Sequence, residues 1–433
     1  MSILIKNGRV INPATNRDGI FDILIEDGRI SEISKNMGKK TRSVIDANDK
    51  IVAPGVIDMH VHLREPGRED METVASGTRA AVSGGITSIC AMPNTYPALD
   101  SVNAIKRLKG IIKKDASNNV FVIGAITKGR KGLDLVDMAA MRKEGALAFS
   151  DDGNSLGDEA LMSESLKMAG GNNAFLISHC EDRNISKNGV MNEGITATKL
   201  GLRGIPKQAE YEFVERDIRL AEKTRTKIHI AHVSCKESID IIKKAKTKGV
   251  QVTAETAPHY FSLTEEACVT YDTRTKMNPP LRALEDVEAI KEALRDGTID
   301  VIASDHAPHG KHDKEVEFDF AAFGIIGLET LLPLAIAALV EKKMISWMKL
   351  VELVSLNPAK ILGLSNKGNL SPGKDADIII IDPLANWVYT KDSIKSKSKN
   401  TPFINWKFKG KVETVISGGR EIFTGSAGSV LNL

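Results

Sequence analysis

Through the middle of this 433-residue chain, apolar positions fall into short β-rich runs separated by stretches with helical spacing. The runs are Val56–Leu63, Ile86–Pro93, Val120–Ile126, Ala146–Ser150, Ala174–Ser178, Ile228–Val233, Val250–Thr256 and Val301–Ser304. Between most of them apolar residues recur with the period of amphipathic helices, as in Met71–Val82, Glu210–Lys223 and Leu284–Leu294. Strands and helices in alternation predict an α/β fold, a parallel (β/α)8 barrel of the TIM type.

The two ends of the chain read differently. Residues 3–10, 21–26 and 29–33 look like short antiparallel strands joined at Asn7-Gly8 and Asp27-Gly28. Residues 375–382, 412–416 and 420–423 repeat that pattern around Gly418-Gly419, after helices at 347–354 and 358–362. The economical arrangement pairs both ends in one small β-sandwich beside the barrel. Pro54-Gly55 marks entry into the barrel and Gly363 to Gly373 the exit. The expected domains are 1–53 and 366–433, forming the sandwich, and 54–365, forming the barrel.

Composition narrows the function classes. Hydrophobic and charged fractions of 42% and 27% are those of an ordinary globular protein with a sizeable core. A net charge of +3 argues against a dedicated nucleic-acid binder. The run Lys395-Ser-Lys-Ser-Lys399 reads as a solvated loop. Cys90, Cys180, Cys235 and Cys268 show no metal-type or disulfide spacing. The N-terminus lacks signal-peptide character, and the most apolar stretch, Leu331–Val340, is too short to span a bilayer. A cytoplasmic protein with reduced thiols, bound to no membrane, is the simplest expectation.

Candidate chemistry begins at His60 and His62. Two histidines at i and i+2 on an apolar strand point to one face and make half of a metal site, although the pair alone is a weak signal. Active sites of such barrels form at the C-terminal ends of the strands. Those ends carry His60, His62 and Arg64, then Asn94, Asp151-Asp152, His179, His232 and His259, and finally Asp305, His306 and His309. Most of the nine histidines lie there, which scattered core histidines would not do. Asp151 suits a helix cap, His229 suits packing, and His259 and His306 suit supporting roles. Arg64-Glu65 has the alternative of a surface ion pair. His312 lies in a charged loop, 310–318, that looks mobile.

The runs Asp58-Met-His-Val-His-Leu-Arg-Glu-Pro-Gly67, Met92-Pro-Asn-Thr95, Lys276-Met-Asn-Pro-Pro-Leu-Arg282 and Ser304-Asp-His-Ala-Pro-His309 resemble those of type I dihydroorotases, in the cyclic amidohydrolase superfamily. The resemblance extends through Gly327-Leu-Glu-Thr330 and Asn357-Pro-Ala-Lys360 to Ser371-Pro-Gly-Lys-Asp-Ala-Asp377. It implies reversible cyclisation of N-carbamoyl-L-aspartate to L-dihydroorotate, with a metal-bound hydroxide as nucleophile in the hydrolytic direction and Asp305 as general acid and base. It implies one or two Zn²⁺ ions, the first on His60, His62 and Asp305 and the second on His179 and His232, bridged by Asp152. His62, Arg64, Asn94, Asn278, His309 and backbone groups of Phe323 and Gly324 would bind substrate, with Arg64, Asn94 and His309 donating hydrogen bonds. Ala322 stands where the family usually has proline. A homodimer and association with aspartate transcarbamoylase are further expectations. The alternatives are an allantoinase or hydantoinase, a non-catalytic dihydroorotase-like scaffold, and a barrel using the cluster structurally.

Overall fold

The structure is a computed structural model that describes residues 2–425 and 429–430. All eight expected barrel strands form: Val56–Val61, Ile86–Ala91, Asn119–Gly124, Ala146–Phe149, Leu176–Ser178, Ile228–Ile230, Val252–Thr256 and Val301–Ile302. They pair in parallel in sequence order. The first strand meets the eighth through a bridge between Val61 and His306, and Asp58 Oδ1 accepts the Ser304 N–H at 3.1 Å. The barrel is nearly closed. Its interior holds an apolar cluster with Ile57, Met59, Cys90, Ile123, Ala148, Ile177 and Ala303.

The barrel strands span two to six residues, and helices between them run longer, such as Gln208–Thr224 and Leu284–Asp296. The first helix starts at Val74, a little after the apolar periodicity does, because Thr73 and Ser76 form a capping box there. Gly55 joins the outer sheet to the barrel. A Cβ there would lie 2.2 Å from Thr87 Oγ1, so the close approach of the two strands needs glycine.

The two chain ends meet as expected. Hydrogen bonds join them in one continuous mixed sheet of nine strands, in which Ile51–Pro54 pairs with both Ser2–Asn12 and Ile378–Val388. Ile51–Pro54 and Ser43–Asp46 are strands that the sequence pattern does not announce; the first is buried at every position and so shows no alternation. The sheet wraps its own apolar cluster, including Ile5, Ile23, Ile25, Ile378 and Ile416. Among the described residues no helix is long and apolar enough to cross a membrane, and all four cysteines are buried free thiols.

The Lys395–Lys399 run corrects a sequence expectation. Ser396 and Ser398 are buried while Lys395 and Lys397 are exposed. The alternation is that of an extended segment packed along one face, with the serines bonded inward to Glu72 and the Met71 carbonyl. Only its lysine face is solvated.

Candidate active site

The strand ends converge on one cluster. His60 Nε2 lies 3.3 Å from Asp152 Oδ1 and 3.5 Å from Asp305 Oδ1; His62 Nε2 lies 3.4 Å from Asp152 Oδ2 and from Asp305 Oδ1. His179 Nδ1 and His232 Nε2 are 2.7 Å apart and face Asp152 Oδ1 at 3.7 and 3.6 Å. Asp152 therefore turns its two oxygens toward all four rings. All six sequence-predicted ligand candidates come together here.

Alternation alone does not explain His232 and Asp305, which lie beyond the ends of their strands. Both have left-handed backbone, φ 35° and 48°, and Arg64 has φ 61°. Non-glycine residues seldom adopt this conformation, and it recurs at functional sites because the surrounding structure must hold it. Here it turns the side chains back over the barrel mouth.

Supporting contacts fix the rings. His60 Nδ1–H donates to Glu255 Oε1 at 2.6 Å, which leaves the Nε2 lone pair facing the cluster. Glu255 Oε2 also meets His229 Nε2 at 3.2 Å, so His229 belongs to a buried polar chain and does more than pack. His62 Nδ1–H donates to Asn94 Oδ1 at 2.7 Å, and His179 Nε2 faces Glu181 Oε2 at 3.3 Å. Carboxylates and carbonyls in this position set the tautomer and aim of metal-binding imidazoles. Sequence reading missed Glu255 and Glu181. The available signal for Glu255 was an acid inside the apolar strand Val252–Thr256.

The electrostatics favour a cation at the centre. Burial alone would keep His60 and His179 neutral. Asp152, Asp305 and Glu255 outweigh it for His60, and Asp152 and Glu181 raise His179 to about 9. Burial would raise the Asp152 and Asp305 carboxyls, yet the neighbouring histidines hold both below the usual carboxylate range. His60 Nε2 and Asp152 Oδ1 are buried with no hydrogen-bond partner. Ligands about 2.0–2.2 Å from a tetrahedral ion sit roughly 3.3–3.5 Å apart. The contacts of His60 and His62 with Asp152 and Asp305 match that spacing, and imidazole with carboxylate suits a divalent ion such as zinc, whereas His179 and His232, at 2.7 Å, stand closer than two ligands of one ion.

A cleft of about 470 Å³ opens over the cluster, lined by His62, Arg64, Asn94, Asn278, His309, Phe323 and Gly324 among others. Arg64 is no surface ion-pair partner: Nε donates to Pro308 O at 3.1 Å, and Glu65 instead accepts the Val74 N–H. Burial lowers the Arg64 guanidinium to about 10, still a full cation at neutral pH. Asn94, with Oδ1 committed to His62, has its NH₂ left to donate. Asn278 donates to Glu181 Oε2 at 3.0 Å.

His309 differs from expectation. Its Nε2–H donates to Phe323 O at 2.7 Å, and Nδ1 is buried without a partner. Burial and the nearby Arg64 keep the ring neutral. Its open atom is therefore an acceptor, suited to a substrate N–H and not to a carboxylate. The Gly324 N–H is likewise used, by Lys276 O at 2.9 Å. Gly324 has φ 116°, and a Cβ there would lie 2.6 Å from the Ala307 Cβ, so only glycine fits.

Other sequence-singled residues fall outside the cluster. Asp151 caps no helix; it accepts the Ile126 and Thr127 N–H groups, while Asp158 caps the following helix. His306 Nε2 meets Glu72 at 3.2 Å, and His259 packs on Tyr260. The 310–318 loop contains the helical turn Lys311–Lys314. Lys314 Nζ anchors that turn to Ala322 O at 2.6 Å, and Lys276 Nζ reaches Phe318 O at 2.8 Å.

Comparison with known proteins agrees with this geometry. Residues 49–238 match a family described as Dihydro-orotase-like, and residues 227–423 match the Amidohydrolase family. The chain is 53% identical to a dihydroorotase of Elusimicrobium minutum, over 97% of each chain. It is 49% identical to a dihydroorotase of Geobacter metallireducens, over 98% of this chain and 100% of the relative. Among solved structures it resembles an L-hydantoinase from Arthrobacter aurescens, with TM-score 0.90, 25% identity and coverage of 99% and 97%. On full-length similarity, the chain belongs to the dihydroorotase family of metal-dependent amidohydrolases.

Proposed function

We propose that this chain interconverts N-carbamoyl-L-aspartate and L-dihydroorotate, with zinc as its metal. The observation that carries the reading is the pairing of an imidazole–carboxylate cluster with a half-buried arginine at the rim of the same cleft. His60, His62 and Asp305 would hold one ion, His179 and His232 a second, and Asp152 would bridge them. Bound there, the ion supplies Lewis acidity toward water and the ring amide carbonyl.

The protein's own groups do the rest. Neither terminal nitrogen of Arg64 has a hydrogen-bond partner among the described residues, so its fork is free for the substrate's unreactive carboxylate. Asn94 donates beside it. His309 Nδ1 accepts a ring N–H, which fixes the ring's orientation. Asp305, ionised at neutral pH, takes a proton from the attacking water as the new C–O bond forms. It returns that proton to the ring nitrogen as the C–N bond breaks.

The fold is shared with hydantoinases, whose reading is less supported because Arg64 would then face no carboxylate. Hydrolysis of dihydroorotate, dihydrouracil and allantoin on one preparation, before and after chelation and zinc return, tests the proposal. Preference for dihydroorotate, lost with the metal and restored by zinc, is expected; metal-independent activity or preference for dihydrouracil refutes it. In this reading residues 54–365 are the catalytic unit, with 1–53 and 366–433 as its β companion. A cytoplasmic homodimer associating with aspartate transcarbamoylase completes it, testable by cell fractionation and by size exclusion with and without that enzyme.

A further inference from the structure

Residues 394–401 form a strap that follows the outer sheet and reaches the backbones of Ala307, His309 and Gly324, which line the cleft. Ser396 Oγ and Lys397 N bond Glu72, the partner of His306, and Ser398 Oγ donates to Met71 O at 2.7 Å. Asn400 goes further. Its Oδ1 accepts the His309 N–H at 3.2 Å, and its NH₂ donates to Ala307 O at 3.0 Å and Gly324 O at 3.2 Å. Its own carbonyl accepts the Ile326 N–H at 3.0 Å. The residue is buried.

We propose that Asn400 is a positioning residue for substrate binding, holding the 307–309 and 324–326 backbones in the register that aims His309 Nδ1 into the cleft. The argument rests on the function proposed above. His309 is held at two points, its ring by Phe323 O and its backbone by Asn400. Both points depend on the same two segments keeping their separation. A primary amide has the donors and acceptor to span both segments at once, which a hydroxyl, carboxylate or apolar side chain lacks. Asn400 touches none of the six ligand candidates, so its effect falls on substrate placement and not on metal retention.

Asn400→Ala removes the three side-chain bonds, and Asn400→Leu does so while keeping most of the volume. Ser398→Ala loosens the strap without touching the cleft. KM and kcat for dihydroorotate, zinc content, and amide exchange of peptides within 306–326 are measured on all four proteins. Expected for both Asn400 variants are a KM raised about tenfold, a kcat much less affected, unchanged zinc and faster exchange, with Ser398→Ala close to wild type. An unchanged KM in a folded Asn400 variant overturns the proposal, as does an equal rise in Ser398→Ala. Failure of both Asn400 variants to fold also overturns it, assigning the residue to stability. A wild-type protein inactive on dihydroorotate, with exchange still faster in the variants, defeats the functional reading and leaves the positioning of the two segments standing.

Discussion

The two halves of the cleft are built by different means. The ligand half stands on the barrel: its histidines and aspartates sit at or just past strand ends, and one parallel ladder sets their spacing. The substrate half stands on loops held by individual hydrogen bonds to other segments: Arg64, His309 and Gly324 through side chain-to-backbone bonds, and Asn94 and Asn278 through bonds to the His62 and Glu181 side chains. A ladder is stiff because every residue shares in it. A loop is as stiff as its few anchors, so single substitutions should act locally there and on binding.

The contrast is tested most severely at Asp305. Asp305→Asn should lower kcat by about 10²–10⁴, with metal content partly retained. An unchanged kcat in steady-state assays would remove Asp305 from the proton transfer.

Next comes Glu255. Glu255→Ala should weaken metal affinity by roughly 10–100-fold by freeing the His60 tautomer, read by competition with a chelating dye. KM for substrate in excess zinc should hardly move, because Glu255 touches only the ligand half. A large KM change would blur the division between halves.

Arg64→Met should do the reverse. It should raise KM by about 10–100-fold and leave zinc content intact; a kcat loss without a KM rise would refute its carboxylate role.

A smaller effect is expected in the 310–324 loop. Burial, with Lys276 nearby, lowers Lys314 to about 7, and burial lowers Lys276 to about 8. Unfolded lysines keep their ordinary value near 10.5. Between those limits the unfolded chain binds more protons, so these lysines contribute stability that grows as pH rises above about 7. Protease resistance of the loop should increase from pH 7 to 9, and the trend should flatten in Lys314→Met. A trend identical in the variant would break the link to this lysine. Lys395→Ala, on the exposed face of the strap, should leave the melting temperature unchanged within error.

Much of the ligand half was legible because its signals are local. His-x-His on an apolar strand, and an acid or histidine at each strand end, follow from periodicity and residue type. Glu255 could have been read as an acid within a buried strand, but its bond to His60 joins residues 195 positions apart. The substrate half was legible only as a family resemblance, and it needed correction. The acceptor role of His309 depends on Phe323 O, and the commitment of the Gly324 N–H depends on Lys276 O; neither has a sequence pattern.

By itself, the sequence determined the barrel, the pairing of the two chain ends and the residues that gather at the strand ends. Strand and helix periods are properties of consecutive residues, so composition and spacing carry them. Tertiary structure alone decided which atom each histidine presents, and it turned the Lys395–Lys399 run into a strap that ends at Asn400, bonded to the backbones of Ala307, His309 and Gly324 in the cleft wall. Tautomers and anchors are set by whichever polar group lies within about 3 Å in the folded chain, and that neighbour comes from elsewhere in the sequence.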